Sequence, residues 1–374
     1  MSNSLQFPST PKASRLFVMA MTTTTLADIH PHIIQTHILP RLDGPSLSNT
    51  AAASSNLQAL CSDQHLWADV CNSTWPSTNH PPLHHLISSF PDGHRSFFDD
   101  SFPVLVAEVN HRNRPRSCSK SQPDHSHHHH HLWPSELISA IDIRYQNDVI
   151  FSRVEITDTT NDDFLSPAFR IELNNDAVPG NFQPIDLKVD ELAGADQETL
   201  SHLKESVTLN WILIDPTLKR AGNLSSIKAV SARQDWMSNE TLLRYVTVLP
   251  GSEANEVVQC RIELVLGAGK GGVGLYVKEV SLKLQDLDCS CLNGREFLVI
   301  TQGALMEENN VKRKVVVDDE ERRKIYHKFK QVRRQRSEWV KKEEDKREFA
   351  IKLNYALTIV SFLFSVYFLS LMLR

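Results

Sequence analysis

Residues 26–76 read LADIHPHIIQTHILPRLDGPSLSNTAAASSNLQALCSDQHLWADVCNSTWP, about fifty residues, the small end of what folds as a unit. Ile34, Ile38 and Leu42 recur at four-residue steps, and Ile33 and Leu39 widen the stripe, which is the spacing of one apolar helix face. Pro31 suits a first helical turn, where its missing N–H has no partner to lose. Pro40 limits how far that helix can run. The turn signal Asp43-Gly44-Pro45 precedes a short Ala-rich helix from Leu47, and Ser62 and Asp63 suit the cap of a third helix carrying Leu66, Trp67 and Val70. Three short helices cannot enclose so many apolar side chains, so an exposed patch is expected. Such a patch marks a partner.

This layout resembles the F-box, a short helical module that docks on the Skp-type adaptor of cullin–RING ubiquitin ligases. The resemblance is carried by Leu26, Ile33-Ile34, Ile38-Leu39, Leu42, Pro45 with Leu47, and Leu66-Trp67. The family commonly opens Leu-Pro, whereas Ala27 follows Leu26 here and the proline comes at Pro31. The runs HLISSFPDGHRSFFDDSFP (85–103) and LNWILIDPTLKRAGNLSS (209–226) look like a group of plant F-box proteins of similar layout. The resemblance implies a Skp-type adaptor as partner, and through it a cullin. It implies an adaptor contact made by Leu26, Ile33, Ile34, Ile38, Leu39, Leu42, Pro45, Leu47 and Trp67. The residues alone leave open an ordinary helical subdomain covered by the rest of the chain.

Working outward, the 374 residues leave room for two or three units, and an apolar fraction of 41% suits a packed core. The net charge of −5 hides an asymmetry: residues 312–352 hold 16 Lys or Arg against 9 Asp or Glu, a local +7 that leaves −12 for the remainder. Six cysteines follow no repeating spacing, and Cys289 and Cys291 stand two apart rather than at the three-residue step of a CxxC pair. A reduced, cytosolic setting fits that usage. Residues 1–25 read as a disordered leader from an upstream start codon.

Residues 77–109, with Phe90, Phe97, Phe98 and Phe102, read as an extension of the helical core, and 110–131 as a flexible His-rich linker. Residues 132–305 turn β in texture. Nine runs, from LISAIDIRY to FLVITQG, are rich in Val, Ile, Leu, Tyr and Phe, and turn formers separate them. The fold class that follows is multi-domain: a small all-α F-box, then an all-β sandwich-like substrate-receptor domain with one helix after Asp196, a charged helix and a C-terminal transmembrane helix. Trp211, Ile212 and Ile214 are expected in the core, and Asp142, Asp215 and Glu263 at outward or turn positions. Beyond Met306 no strand is expected. Residues 306–352 read as a charged juxtamembrane helix with Ile325, Phe329, Val332 and Trp339 on a narrow face.

Residues 353–373 contain no charge and as a helix would span about 31 Å, matching a hydrocarbon core of about 30 Å. Only Arg374 follows, the arrangement of a post-translationally inserted tail anchor, and eight Lys or Arg in 333–352 hold the flanking side in the cytosol. Length and flanking charge lean towards the endoplasmic reticulum. The run GAGKGGVG at 267–274 lacks the Lys-Ser/Thr ending of a phosphate-binding loop and joins two strands, so it reads as a hairpin tip. The histidines at 127–131 sit in a polar linker with no second shell to fix a metal. No catalytic site, cofactor, metal site or nucleic-acid partner is expected. The function that follows is a non-catalytic substrate receptor of a membrane-anchored SCF-type ligase, acting on an unknown protein substrate. The alternative is a tail-anchored scaffold or trafficking protein unrelated to ubiquitin.

Overall fold

The computed structural model describes residues 29–107, 133–165, 168–174, 185–188, 196–235, 237–252, 256–268, 273–307, 311–314 and 319–373. The leader over 1–25, Leu26, the His-rich linker over 110–131 and the hairpin tip at 269–272 lie outside them. Two compact units divide after Leu66, Met1–Leu66 and Trp67–Arg374.

In the first unit, α1 (Pro31–Ile33) leads into a π turn (Ile34–Ile38) and a 3-10 turn (Leu39–Arg41). Then come α2 (Gly44–Ala53) and α3 (Ser55–Leu60). Pro31 opens the first turn, as the sequence leads one to expect, whereas α2 starts at Gly44 rather than at Leu47, with Asp43 as its cap. Ser54 caps α3 by accepting from the Leu57 N–H. The helix α4 (Gln64–Thr74) carries the chain into the second unit.

The second unit begins with a helical arm: the end of α4, a 3-10 turn (Pro76–Asn79), α5 (Pro81–Ser88) and α6 (Gly93–Ser101). Its core is aromatic. Phe98 meets both Trp67 and Trp75 at 5.4 Å between ring centroids, and Phe97 meets Trp75 edge-on at 5.8 Å. These contacts group Trp67 and Trp75 with residues 90–102, and the compact units divide after Leu66.

Thirteen strands are described. They are β1 (Val104–Ala107), β2 (Glu136–Tyr145), β3 (Asp148–Asp158), β4 (Ile171–Asn174), β5 (Ile185–Lys188), β6 (Val207–Asp215) and β7 (Arg220–Asn223). The rest are β8 (Ile227–Lys228), β9 (Ser231–Gln234), β10 (Thr241–Pro250), β11 (Val257–Ala268), β12 (Val273–Gln285) and β13 (Val311–Lys314). One sheet runs β13-β1-β7-β6-β2-β3 with β8 beside β6, and the other runs β4-β12-β11-β10-β9 with β5 beside β12. The β2–β3 hairpin turns on Gln146 and Asn147, both at positive φ, which matches the right-handed twist of its strands. Between the sheets lies one core with Ile141, Trp211 and Leu213 from the first and Tyr245, Ile262 and Leu282 from the second. Ile212 and Ile214 are also fully buried, on the opposite side of β6.

Four further helices are described in the unit: α7 (Asp162–Leu165), α8 (Gln197–Ser206), α9 (Gly294–Leu305) and α10 (Asp319–Met372). Asp196 caps α8 at the position the sequence marks. Two expectations are corrected. FLVITQG is not a strand but lies in α9, because Asn293 and Glu296 form a capping box and Phe297, Leu298, Thr301 and Leu305 form a buried helix face. Strands do not stop at Met306, since β13 pairs antiparallel with β1. Asp142 and Asp215 are both fully buried. The Asp215 carboxylate accepts from the Thr217 and Leu218 N–H groups at 2.9 Å, a turn role, and from Gln302 Nε2 at 2.9 Å.

The arm lies on the outer face of the first sheet. Ser77 donates to Asp142, Arg144 donates to the Ser73 and Thr74 carbonyls, and Asp100 accepts from the Ala221 N–H at 3.1 Å. The start of α10 lies on one end of the second sheet, where fully buried Phe329 packs with Val248 and Val257, flanked by Ile325 and Val332. Arg336 adds an ion pair to Asp288 at 3.5 Å. The helix then continues without a break into its apolar end. Among the described residues one helix, over Arg323–Met372, is long and apolar enough to cross a membrane, and its apolar window is unburied.

Candidate adaptor-docking segment

The segment from His30 to Ala53 is shaped by local hydrogen bonds. The His30 side chain accepts from the His32 N–H at 3.2 Å, and Thr36 Oγ1 donates to the His32 carbonyl at 2.7 Å. Pro40 has no N–H to offer the preceding turn, so the chain winds loosely across Ile34–Ile38 and tightens over Leu39–Arg41. Leu42 then extends, its N–H bonded to the Leu39 carbonyl at 3.0 Å. Asp43 Oδ1 accepts from the Ser46 N–H at 2.9 Å, and hydrogen bonds from Ser46 hold that carboxyl below its ordinary value. Gln35 Nε2 donates to Asp63 Oδ2 at 3.3 Å and ties the first turn to the turn before α4.

This winding redistributes the apolar stripe. Ile33 is 47% exposed, and Ile38, Leu42 and Pro45 are half-buried. Ile34, Leu39 and Leu47 are buried, each side chain contributing about 1.5–3 kcal/mol to the fold rather than to a surface. Trp67 is fully buried in the aromatic cluster of the second unit, with the Arg95 guanidinium 6.0 Å from its ring centroid. The four-residue spacing of Ile34, Ile38 and Leu42 assumes uniform α-winding, and the π turn breaks that assumption. The structure therefore brings Ile33, Ile38, Leu42 and Pro45 to accessible positions along one short segment. Chemically the segment can bury apolar surface against a partner. Among the described residues no group of three His, Cys, Asp or Glu is placed to hold a metal ion.

The chain is 36% identical over 295 residues to F-box protein At2g27310 of Arabidopsis thaliana, a span covering 77% of this chain and 81% of that relative. The chain belongs to the plant F-box proteins. It is also 37% identical over 279 residues to F-box protein At3g44326 (73% of this chain, 72% of that one) and 35% identical over 287 residues to Probable F-box protein At2g36090 (76% of each), both from Arabidopsis thaliana. No family model matches the chain, and no solved structure matches it. Alignments of this length cannot fit in the helical residues before β2. What this F-box protein shares with its relatives therefore reaches into the two sheets.

Proposed function

We propose that this F-box protein is the substrate-receptor subunit of an SCF-type ubiquitin ligase, docking on a Skp-type adaptor and through it a cullin. The observation that carries the reading is the likeness over 295 residues to a protein named for its F-box. In this reading residues 26–76 form the module. Ile33, Ile38, Leu42 and Pro45, with Leu26 ahead of them, touch the adaptor, while Ile34, Leu39 and Leu47 hold the backbone that presents them. The two-sheet domain recruits the substrate. The chain performs no chemistry itself and acts by raising the local concentration of substrate beside the ubiquitin carrier. Residues 353–373 anchor the assembly in a bilayer with the rest in the cytosol, so its substrates are membrane-proximal. The exposure of Leu353, Phe362 and Leu369, at 49%, 67% and 65%, supports that anchor, because apolar surface of that extent needs a lipid or protein partner.

The burial of Ile34, Leu39 and Leu47 favours one other reading, a tail-anchored scaffold in which residues 26–76 are a structural subdomain. Capture of the full chain by a purified Skp-type adaptor separates the two. The Ile33→Asp, Leu42→Asp double variant alters accessible positions, so it should fold normally and lose at least tenfold in capture. Unchanged capture by the folded double variant would place the adaptor contact elsewhere on the chain, and no capture of the wild type would move the chain to the scaffold reading.

A further inference from the structure

The outer faces of the two sheets are used differently. The helical arm covers that of the first sheet, whereas among the described residues α10 crosses only one end of the second, at Val248 and Val257. Strand pairing places Arg244 opposite Glu263 and Arg261 opposite Lys283, and the inward positions of Leu243, Ile262 and Leu282 put all four on the outer side. Arg244 and Lys283 reach Glu263 at 3.2 and 3.4 Å, and Arg261 pairs with the same carboxylate. Burial would lift the Glu263 carboxyl, but the Arg261 hydrogen bond and the charges of Arg261, Lys283 and Arg244 hold it below its ordinary value. One ionised carboxylate thus serves three cations. Arg233, exposed and opposite Leu242 on the same face, adds a fourth with no carboxylate partner among the described residues. The Nε atoms of Arg244 and Arg261 have no hydrogen-bond partner among the described residues either. At the far edge Arg170 already pairs with both Glu172 and Glu279, so the positive surplus is confined to β9–β11 and the adjoining part of β12.

We propose that this face, centred on Arg244, Arg261 and Lys283, is a docking surface for an acidic, extended segment of a protein partner. Its naming as the substrate surface rests on the receptor reading above. The chemistry is direct. Guanidinium groups offer paired donors to carboxylates, and partly covered side chains lose little freedom on engagement. Each of the three cations keeps some exposure, 22%, 19% and 16% of its side chain, so a segment laid across the strands reaches them. Attraction of this kind weakens as salt shortens the screening length.

The test is fluorescence anisotropy of a fluorescein-labelled deca-glutamate peptide titrated with the full chain in detergent micelles. Binding should weaken at least tenfold in the Arg244→Gln, Lys283→Gln double variant. Leu242→Glu leaves every partner of Glu263 in place while adding a negative charge to the face, and should weaken binding at least threefold. The Lys341→Gln, Lys342→Gln variant on the exposed stretch of α10 should bind as the wild type does. Absence of binding, equal binding by the face variants, or loss in the α10 variant instead overturns the proposal. So does a self-association that the face variants dissolve, which would give the face to a second copy of the chain. Adaptor capture is measured on the same preparations. Capture without peptide binding rejects this surface alone, and peptide binding without capture keeps the surface and rejects the receptor reading.

Discussion

Asp142 carries a carboxylate with no exposure at all. Ser77 donates its backbone N–H at 3.0 Å and its hydroxyl at 2.5 Å, and the Ser152 hydroxyl donates at 2.7 Å. Burial still raises this carboxyl above its ordinary value, against the pull of those hydrogen bonds and of Arg144. A raised folded-state value means that the folded chain holds the proton more tightly than the unfolded chain does. The group's contribution to stability is therefore complete below its unfolded-state value, about 3.9, and declines as pH rises through the folded value. Asp142→Asn cannot ionise, so its stability relative to the wild type should improve from about pH 4 to pH 7 in urea unfolding. A difference that stays flat across that window would count against burial as the cause. Alternation along β2 does show that Asp142 points away from the sandwich core. Nothing local in the sequence shows that Ser77, 65 positions away, arrives to cover it.

At the scale of single elements, α9 and α10 show what pattern reading misses and what it finds. FLVITQG has the composition of a strand, and the signal for a helix lies just before it, in Asn293 and Glu296. Gly294 has a further reason to be glycine: a Cβ there would sit 2.0 Å from the Phe164 carbonyl oxygen, which belongs to the backbone and cannot step aside. Gly294→Ala should cost about 1–3 kcal/mol in chemical unfolding, the range for overpacking a tight site. Phe329, by contrast, is legible as part of a narrow apolar face on a charged helix. The sequence does not say what that face meets, since Val248 and Val257 lie more than seventy residues earlier. Phe329→Ala should cost about 3 kcal/mol and speed amide exchange over residues 323–336. Unchanged exchange there would mean that α10 is held by its charges, such as Arg336 on Asp288, rather than by this side chain.

For the whole molecule, the order of parts was readable because each has its own period: helical spacing near the start, alternation through the middle, an uncharged run at the end. The division at 66 was not, because the aromatic contacts of Trp67 and Trp75 join residues distant in sequence. Nor was the pattern of exposure over residues 33–45, because the π turn rotates side chains away from their ideal helical positions. Deleting residues 353–374 should move the chain from carbonate-washed membranes to the soluble fraction and leave adaptor capture unchanged. Retention in the membrane fraction would place the anchor elsewhere. The unbroken course of α10 has one more consequence. A stiff rod fixes bearing as well as distance. Each residue removed between Trp339 and Lys352 would shorten it by about 1.5 Å and swing its far half by about 100° around the axis. The count of residues there acts as a compass setting, and only changes close to whole turns would leave the same flank of the sandwich pointing the same way.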